Sequence, residues 1–377
     1  MRAAWLLLLI IALSARAASE RPPSEMREEI PAKSADWPMF RGNPALTGVS
    51  KASLPDKPKV LWKFKSGAEI KGSAAVVGDR VFVGSMDKML YALDLSDGSK
   101  IWEFKTDGPL ESTPCVAGKT VYIGSNDNRL YAVDIETGKE RWRYETQGEI
   151  KGSASFADGK VIVGSYDGYL HCVDAATGKA VWTFNATKFI NGAPAIAGDD
   201  IIFGGCDGLL HAVGLKDGKE FISVDVQNPI VGSPSLIGDI AYFGHYGNEV
   251  IAADLTKGAP LWTFKDTHEF PFFGSPAVDA THVIIGGRDK RIHCLSRDTG
   301  KELWAFMARG TVDSSPVIAG NKIVVGSDDG RIYILSMKGE EVWTYEIGAP
   351  IESSPAVVEG IFLIGADDGV LYAFGKS

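Results

Sequence analysis

The chain has 377 residues, 45% hydrophobic and 23% charged, with 43 glycines and a formal charge of −9. That balance describes a turn-rich globular protein and excludes a general nucleic-acid binder, which needs a basic face. It also excludes an electrostatic hold on an anionic membrane surface.

Residues 1–17 stand apart, with Arg2 as a basic start, an apolar run from Trp5 to Leu13, and the small-x-small site Ala15-Arg16-Ala17. This is the pattern of a secretory signal peptide, too short for a membrane span. No cysteine follows the run to take a lipid anchor, so an exported, unanchored protein is expected, periplasmic or extracellular. Residues 18–58 form a leader and capping segment. Within it, Trp37, Phe40, Arg41 and Gly42 read as a piece tucked over one face of the domain that follows.

From residue 59 to 377 one cassette recurs. Its fullest copy is Leu130 to Trp142, L-Y-A-V-D-I-E-T-G-K-E-R-W. Leu130 to Val133 alternate as a buried strand, Asp134 can bond the backbone of the next turn, and Gly138 can supply its positive φ. A large anchor ends each copy: Trp62, Trp102, Trp142, Trp182, Phe221, Trp262, Trp304 and Trp343, spaced 40, 40, 40, 39, 41, 42 and 39 residues apart. Such a period signals a repeat architecture.

Each cassette reads as four short strands: an anchor strand, a strand opened by small residues such as Ser112-Thr113-Pro114, a β-branched strand such as Val161-Ile162-Val163, and the Leu-Tyr-Ala strand. Asp167-Gly168, Asp207-Gly208, Asp329-Gly330 and Asp368-Gly369 read as two-residue hairpin turns. The last copy stops after three strands at Leu371–Phe374, and the anchor strand Val60–Phe64 has no copy before it. Pairing the two closes the ring and removes its open edge. The expected fold is all-β: a monomeric eight-bladed β-propeller of four-stranded antiparallel blades, closed by its N-terminal strand in the last blade. Phe221 lacks the indole N–H and Gly214 replaces a turn aspartate, so the contact between blades 4 and 5 is expected to be the weakest.

The run Ala-x-Asp-x-x-Thr-Gly-Lys-Glu-x-Trp at Ala132–Trp142, with near copies ending at Trp102, Trp182 and Trp304, resembles the tryptophan-docking motif of the quinoprotein dehydrogenases and their relatives. Asp36-Trp37 with Phe40-Arg41-Gly42 resembles the lead-in segment of that family. The resemblance implies a propeller of pyrroloquinoline quinone (PQQ) repeats. The family holds both PQQ enzymes and BamB-like scaffolds that help assemble outer-membrane barrels.

The PQQ enzymes need calcium ligands, a catalytic aspartate and walls for the quinone, and several carry a disulfide between adjacent cysteines. This sequence has no adjacent cysteine pair, and its loops are short. Cys115, Cys172, Cys206 and Cys294 are expected to be free thiols. His171, His211 and His293 stand in the register of Tyr91, Tyr131 and Tyr333, as strand residues and not metal ligands. The residues just before each small-residue strand, Lys71, Glu111, Lys151, Asn191, Val231, Phe273, Asp313 and Glu352, are expected to circle one mouth of the channel. Glu111, Asn191 and Asp313 are oxygen ligands that calcium could take. The neighbouring arc is apolar and continues through Phe270 and Phe272 in the longer loop 266–273, either as a protein-contact surface or as rings packed on the Trp37–Phe40 segment. No catalytic set is legible. The sequence therefore points to a non-catalytic scaffold with a protein partner and no cofactor. The alternative is a PQQ- and calcium-dependent dehydrogenase of alcohols or sugars.

Overall fold

The computed structural model describes residues 36–376. The proposed signal peptide and residues 18–35 of the leader lie outside them. Eight four-stranded antiparallel units follow one another around a ring, and the seventh gains a fifth, parallel strand, Val49–Ser50, on its inner edge. Blade 1 is Ala75–Val77, Arg80–Gly84, Met89–Asp94 and Lys100–Lys105, running from the channel outwards. Blades 2 to 7 repeat it at 115–145, 155–185, 195–225, 235–265, 277–307 and 317–346. Blade 8 takes three strands from 356–375 and its outermost from Lys59–Lys65. That last strand pairs antiparallel with Val370–Gly375, setting Trp62 opposite Ala373 and Phe64 opposite Leu371. The ring closes with chain ends about three hundred residues apart sharing one sheet.

The wedge between blades explains the sequence period. The indole N–H groups of Trp62, Trp102, Trp142, Trp182, Trp262 and Trp304 donate to the carbonyls of Leu95, Ile135, Ala175, Leu215, Arg297 and Met337 in the next blade, at 2.8–3.1 Å. Each ring lies flat on the next blade's turn glycine. A Cβ on Gly138, at φ 67°, would stand 2.7 Å from the ring of Trp102. Only glycine combines that φ with that approach. Asp134 fixes the turn, its Oδ1 accepting from the backbone of Glu136 and Thr137 and from the Thr137 hydroxyl at 2.9–3.1 Å.

The fourth-blade anchor is Ile222, a correction to the reading that placed Phe221 there. Ile222 pairs with Ala212 in the register that sets Trp102 opposite Ala92. Phe221 points to the other face of the strand and is 37% exposed. Aromatic character favoured Phe221, but a one-residue slip turns a strand side chain to the opposite face. Ile222 carries no N–H, so the 4/5 seam lacks the indole bond made at its neighbours. The hairpin turns are corrected too. Gly168 donates to Ser165 at 3.2 Å, Ser165 donates to Tyr169 at 3.1 Å, and Gly168, not Asp167, takes positive φ. This is a three-residue loop with a bulge, where a two-residue type I′ turn would need both central residues at positive φ.

At the channel wall the small residues form a belt. The amides of Ser73, Thr113, Ala193, Ser233, Ser275, Ser315 and Ser354 each donate to the hydroxyl of the next blade's Thr113, Ser153, Ser233, Ser275, Ser315, Ser354 and Ser73, at 2.8–3.1 Å. Ala193 interrupts it, having no hydroxyl to offer Ser153.

The N-terminal segment runs around the other end of the channel. Trp37 bridges Val76 in blade 1, and the carbonyls of Pro38, Pro44, Ala45, Thr47, Gly48 and Ser53 accept from Val116, Ile196, Leu236, Val278, Ile318 and Gly360 at 2.7–3.0 Å. The strap thereby satisfies amides on the inner edges of the blades, and at blade 7 it does so as a short fifth strand, Val49–Ser50. It buries Arg41, whose Nη1 donates to the carbonyl of Pro316 at 2.6 Å, and burial pushes its guanidinium down to about 9. All four cysteines are free.

Two substitutions test this account. Ile222→Trp should raise the melting temperature by adding the missing indole bond, worth about 1 kcal/mol, whereas Phe221→Trp should leave it unchanged. Ala193→Ser should complete the belt with a gain of similar sign and about 0.5–1.5 kcal/mol in denaturant unfolding.

Candidate functional site

The eight residues Lys71, Glu111, Lys151, Asn191, Val231, Phe273, Asp313 and Glu352 line one cavity of about 180 Å³ at a channel mouth, with Phe40 of the strap also in its wall. Each is held there by the residue before it. Ile150 and Ile190, for example, press on Gly124 and Gly164 of the preceding blade so closely that a Cβ would come within 2.3 Å.

Phe272 belongs to that inner set, which corrects its assignment to the contact surface. It is 1% exposed, presses on Gly244, and packs against Phe264 and His293 at ring distances of 6.5 and 5.4 Å. Truncating such a ring costs about 3–5 kcal/mol, so an alanine there would disturb the fold and not only a contact. Phe270 is 50% exposed.

A second ring surrounds the first, fifteen residues further along each copy: Met86, Asn126, Tyr166, Cys206, Tyr246, Arg288, Asp328 and Asp367. Their amides donate to carbonyls of the entering loops, as from Tyr166 to Glu149 and Arg288 to Pro271. The constant offset was available in the sequence. What it lacked was any residue type in common.

The two rings neutralise one another. Glu352 takes Lys71 at 3.1 Å. Glu111 accepts from the Asn126 amide at 2.6 Å and faces Lys151 at 3.5 Å. Asn191 accepts the Tyr166 hydroxyl at 2.7 Å. Arg288 grips Asp313 through two nitrogens and lies 4.1 Å over the ring of Phe273. The three oxygen ligands suggested for calcium are thus engaged by local donors, and a cation would have to strip each of them. In the second ring, by contrast, the Oδ1 atoms of Asn126, Asp328 and Asp367 are buried without a hydrogen-bond partner.

What the mouth does present is an aromatic arc beside an acidic one. Tyr166 stacks on Phe189 at 4.9 Å, and Tyr246 meets Phe273 at 4.7 Å. Phe189 and Tyr246 are 53% and 51% exposed. Opposite them, burial and then the charges of Asp313 and Glu352 raise the Asp328 carboxyl, and burial with Glu352 raises Asp367.

The histidines follow the tyrosine register. His171, His211 and His293 bond Asp167, Asp207 and Asp289, as Tyr131 bonds Asp127. Asp266, His268 and Asp289 bring ligand atoms within 4.8 Å of one another. Arg291 contacts His268 at 3.1 Å and Asp289 at 3.8 Å, and His293 takes Asp289 from the other side. Two cationic groups hold that cluster, so it reads as an ion-pair network.

Comparison with known proteins places the fold. A family model described as "Beta-alanine-activating enzyme, beta-propeller" matches residues 119–377. The chain belongs to that propeller family. A second model, "Outer membrane protein assembly factor BamB", matches residues 51–155. The chain is 36% identical to the BamB of Burkholderia pseudomallei (strain K96243) over 89 residues, which is 22% of each protein, so the match spans about a fifth of that relative. Among solved structures, BamB from Moraxella catarrhalis superposes with a TM-score of 0.75 at 21% identity, covering 85% of this chain and 98% of that one. A europium-containing methanol dehydrogenase gives 0.79 at 14% identity, covering 91% and 98%. At those identities the likeness shows the fold alone. This is a PQQ-like, BamB-like propeller.

A carboxyl raised by folding costs stability while ionised, and that cost disappears as pH falls below its unfolded value, about 3.9. Asp328→Asn should therefore raise the melting temperature at pH 7 and leave it unchanged near pH 3, in thermal scans at both pH values.

Proposed function

We propose that this propeller is an exported, monomeric, non-catalytic scaffold that binds a protein partner at the channel mouth. The observation that carries the reading is the pairing of exposed rings with exhausted polar groups. Lys71, Glu111, Lys151, Asn191, Asp313 and Glu352 already hold local partners, while Phe189, Tyr246 and Phe270 lie half in water. Exposed aromatics ringed by polar groups suit a protein interface. The short match to the BamB model and the BamB relative support a scaffold in the bacterial envelope. Among the described residues no helix is long and apolar enough to cross a membrane. No nucleic acid is expected at a mouth with so many carboxylates.

Calcium binding through Glu111, Asn191 and Asp313 would require them to give up their local partners. Adding PQQ and calcium to the purified protein should produce no shifted absorption band and no dye-linked oxidation of alcohols or sugars; either signal would reinstate the quinoprotein reading. A photo-crosslinking residue at Phe270 should capture one discrete protein in the native host, and the same residue at Met307, equally exposed on an outer strand, should not. Identical capture from both positions would remove the mouth from consideration.

A further inference from the structure

Four departures from the repeat coincide at the seam between blades 4 and 5. Ile222 stands for a tryptophan, and Val224 stands where Phe104, Phe184 and Phe264 are found. Gly247 replaces the turn aspartate, and Ile251 replaces the tyrosine or histidine of its register.

At neighbouring seams these positions build one unit. The ring at the position of Ile251 packs on the aromatic of the preceding blade, as Tyr131 does on Phe104 at 5.5 Å and His211 on Phe184 at 5.3 Å. It also bonds the turn aspartate, Tyr131 donating to Asp127 at 2.8 Å. The 4/5 seam has lost ring, partner ring and acceptor together.

A cleft of about 380 Å³ lies there, between residues 225–228 at the end of blade 4 and a blade-5 wall of Glu249, Ile251, Pro260, Thr263 and Lys265. Buried polar groups beside it are unsatisfied. His245 is fully buried, its Nε2 3.3 Å from Glu249 but outside hydrogen-bonding geometry, and the Oδ1 of Asn248, itself 5% exposed, has no partner. Both residues flank Gly247, which lines the cleft. Buried polar atoms without partners mark a place where a bonding group is missing.

We infer that this seam is a binding slot for a phenol ring, supplied from outside in place of the ring the repeat omits. The ring enters between the two sheets against Val226, Ile251 and Pro260. Its hydroxyl meets Glu249, which can accept, and Lys265, which can donate; the two lie 3.7 Å apart. The same chemistry is offered by a small free phenol or by a tyrosine side chain on a partner segment. The slot is separate from the channel mouth and stands whether or not the mouth binds a protein.

The test titrates the full chain with p-cresol, with N-acetyltyrosinamide and with cyclohexanol, read by ligand-observed NMR. Both phenols should bind and cyclohexanol should not. Binding of p-cresol alone assigns the slot to a small phenol, and binding of both opens it to a tyrosine. The double variant Gly247→Asp/Ile251→Tyr restores the residue types of the repeat, although a Cβ at position 247 would stand 2.4 Å from the Asn228 amide and 2.6 Å from His245, which must shift; it should bind p-cresol at least tenfold more weakly. Thr263→Trp, a change at an exposed position on the rim, should block the slot without touching the core, covering the case in which the double variant fails to fold. No p-cresol binding to the wild type, or undiminished binding to Thr263→Trp, overturns the inference.

Discussion

One contact sets the rest of this molecule: an indole lying on a glycine of the next blade, its N–H held by that blade's carbonyl. Four short strands cannot bury both faces alone, so a blade is stable only between neighbours. The contact needs three things from the sequence: a flat ring, a positive-φ glycine beneath it, and a turn held by an aspartate. Trp102, Gly138 and Asp134 supply them for blades 1 and 2. Six of the eight seams carry the contact, and Trp62, on the N-terminal strand of blade 8, brings it back to blade 1; the seam after blade 4 has Ile222 in its place.

Around that frame the protein solves a second problem, the polar backbone facing the channel. The hydroxyl belt answers it at one level and the strap at another. The belt works because serine and threonine are small enough for the crowded centre and still carry an acceptor. The strap works because an extended chain can offer a carbonyl to one blade after another as it circles, and Phe40 then closes the wall of the cavity above it.

The repeat makes its exceptions informative. Phe270 and Phe272 are two residues apart in one loop, yet one faces solvent and the other the core, because Phe272 takes the register of Ile150 and Ile190. Phe221 and Ile222 are adjacent and divide in the same way. In both cases residue type pointed one way and register the other, and register won, since a strand position fixes which sheet face a side chain meets. The ring of Met86, Asn126, Tyr166 and their counterparts shows the converse. Register was constant there while chemistry varied from blade to blade, so no motif announced it.

The sequence by itself determined the blade count, the order of strands, the closing pair and the eight inner residues of the mouth. All follow from a period near forty, and a period survives without knowledge of any contact. Only the tertiary structure decided the pairings across blades: which acid meets which base at the mouth, how the strap threads the opposite end, and that Gly247 and Ile251 of blade 5 line one cleft with residues 225–228. Those outcomes depend on side chains some twenty to three hundred residues apart standing within a few ångströms of each other, and nothing local to either stretch of chain encodes that distance.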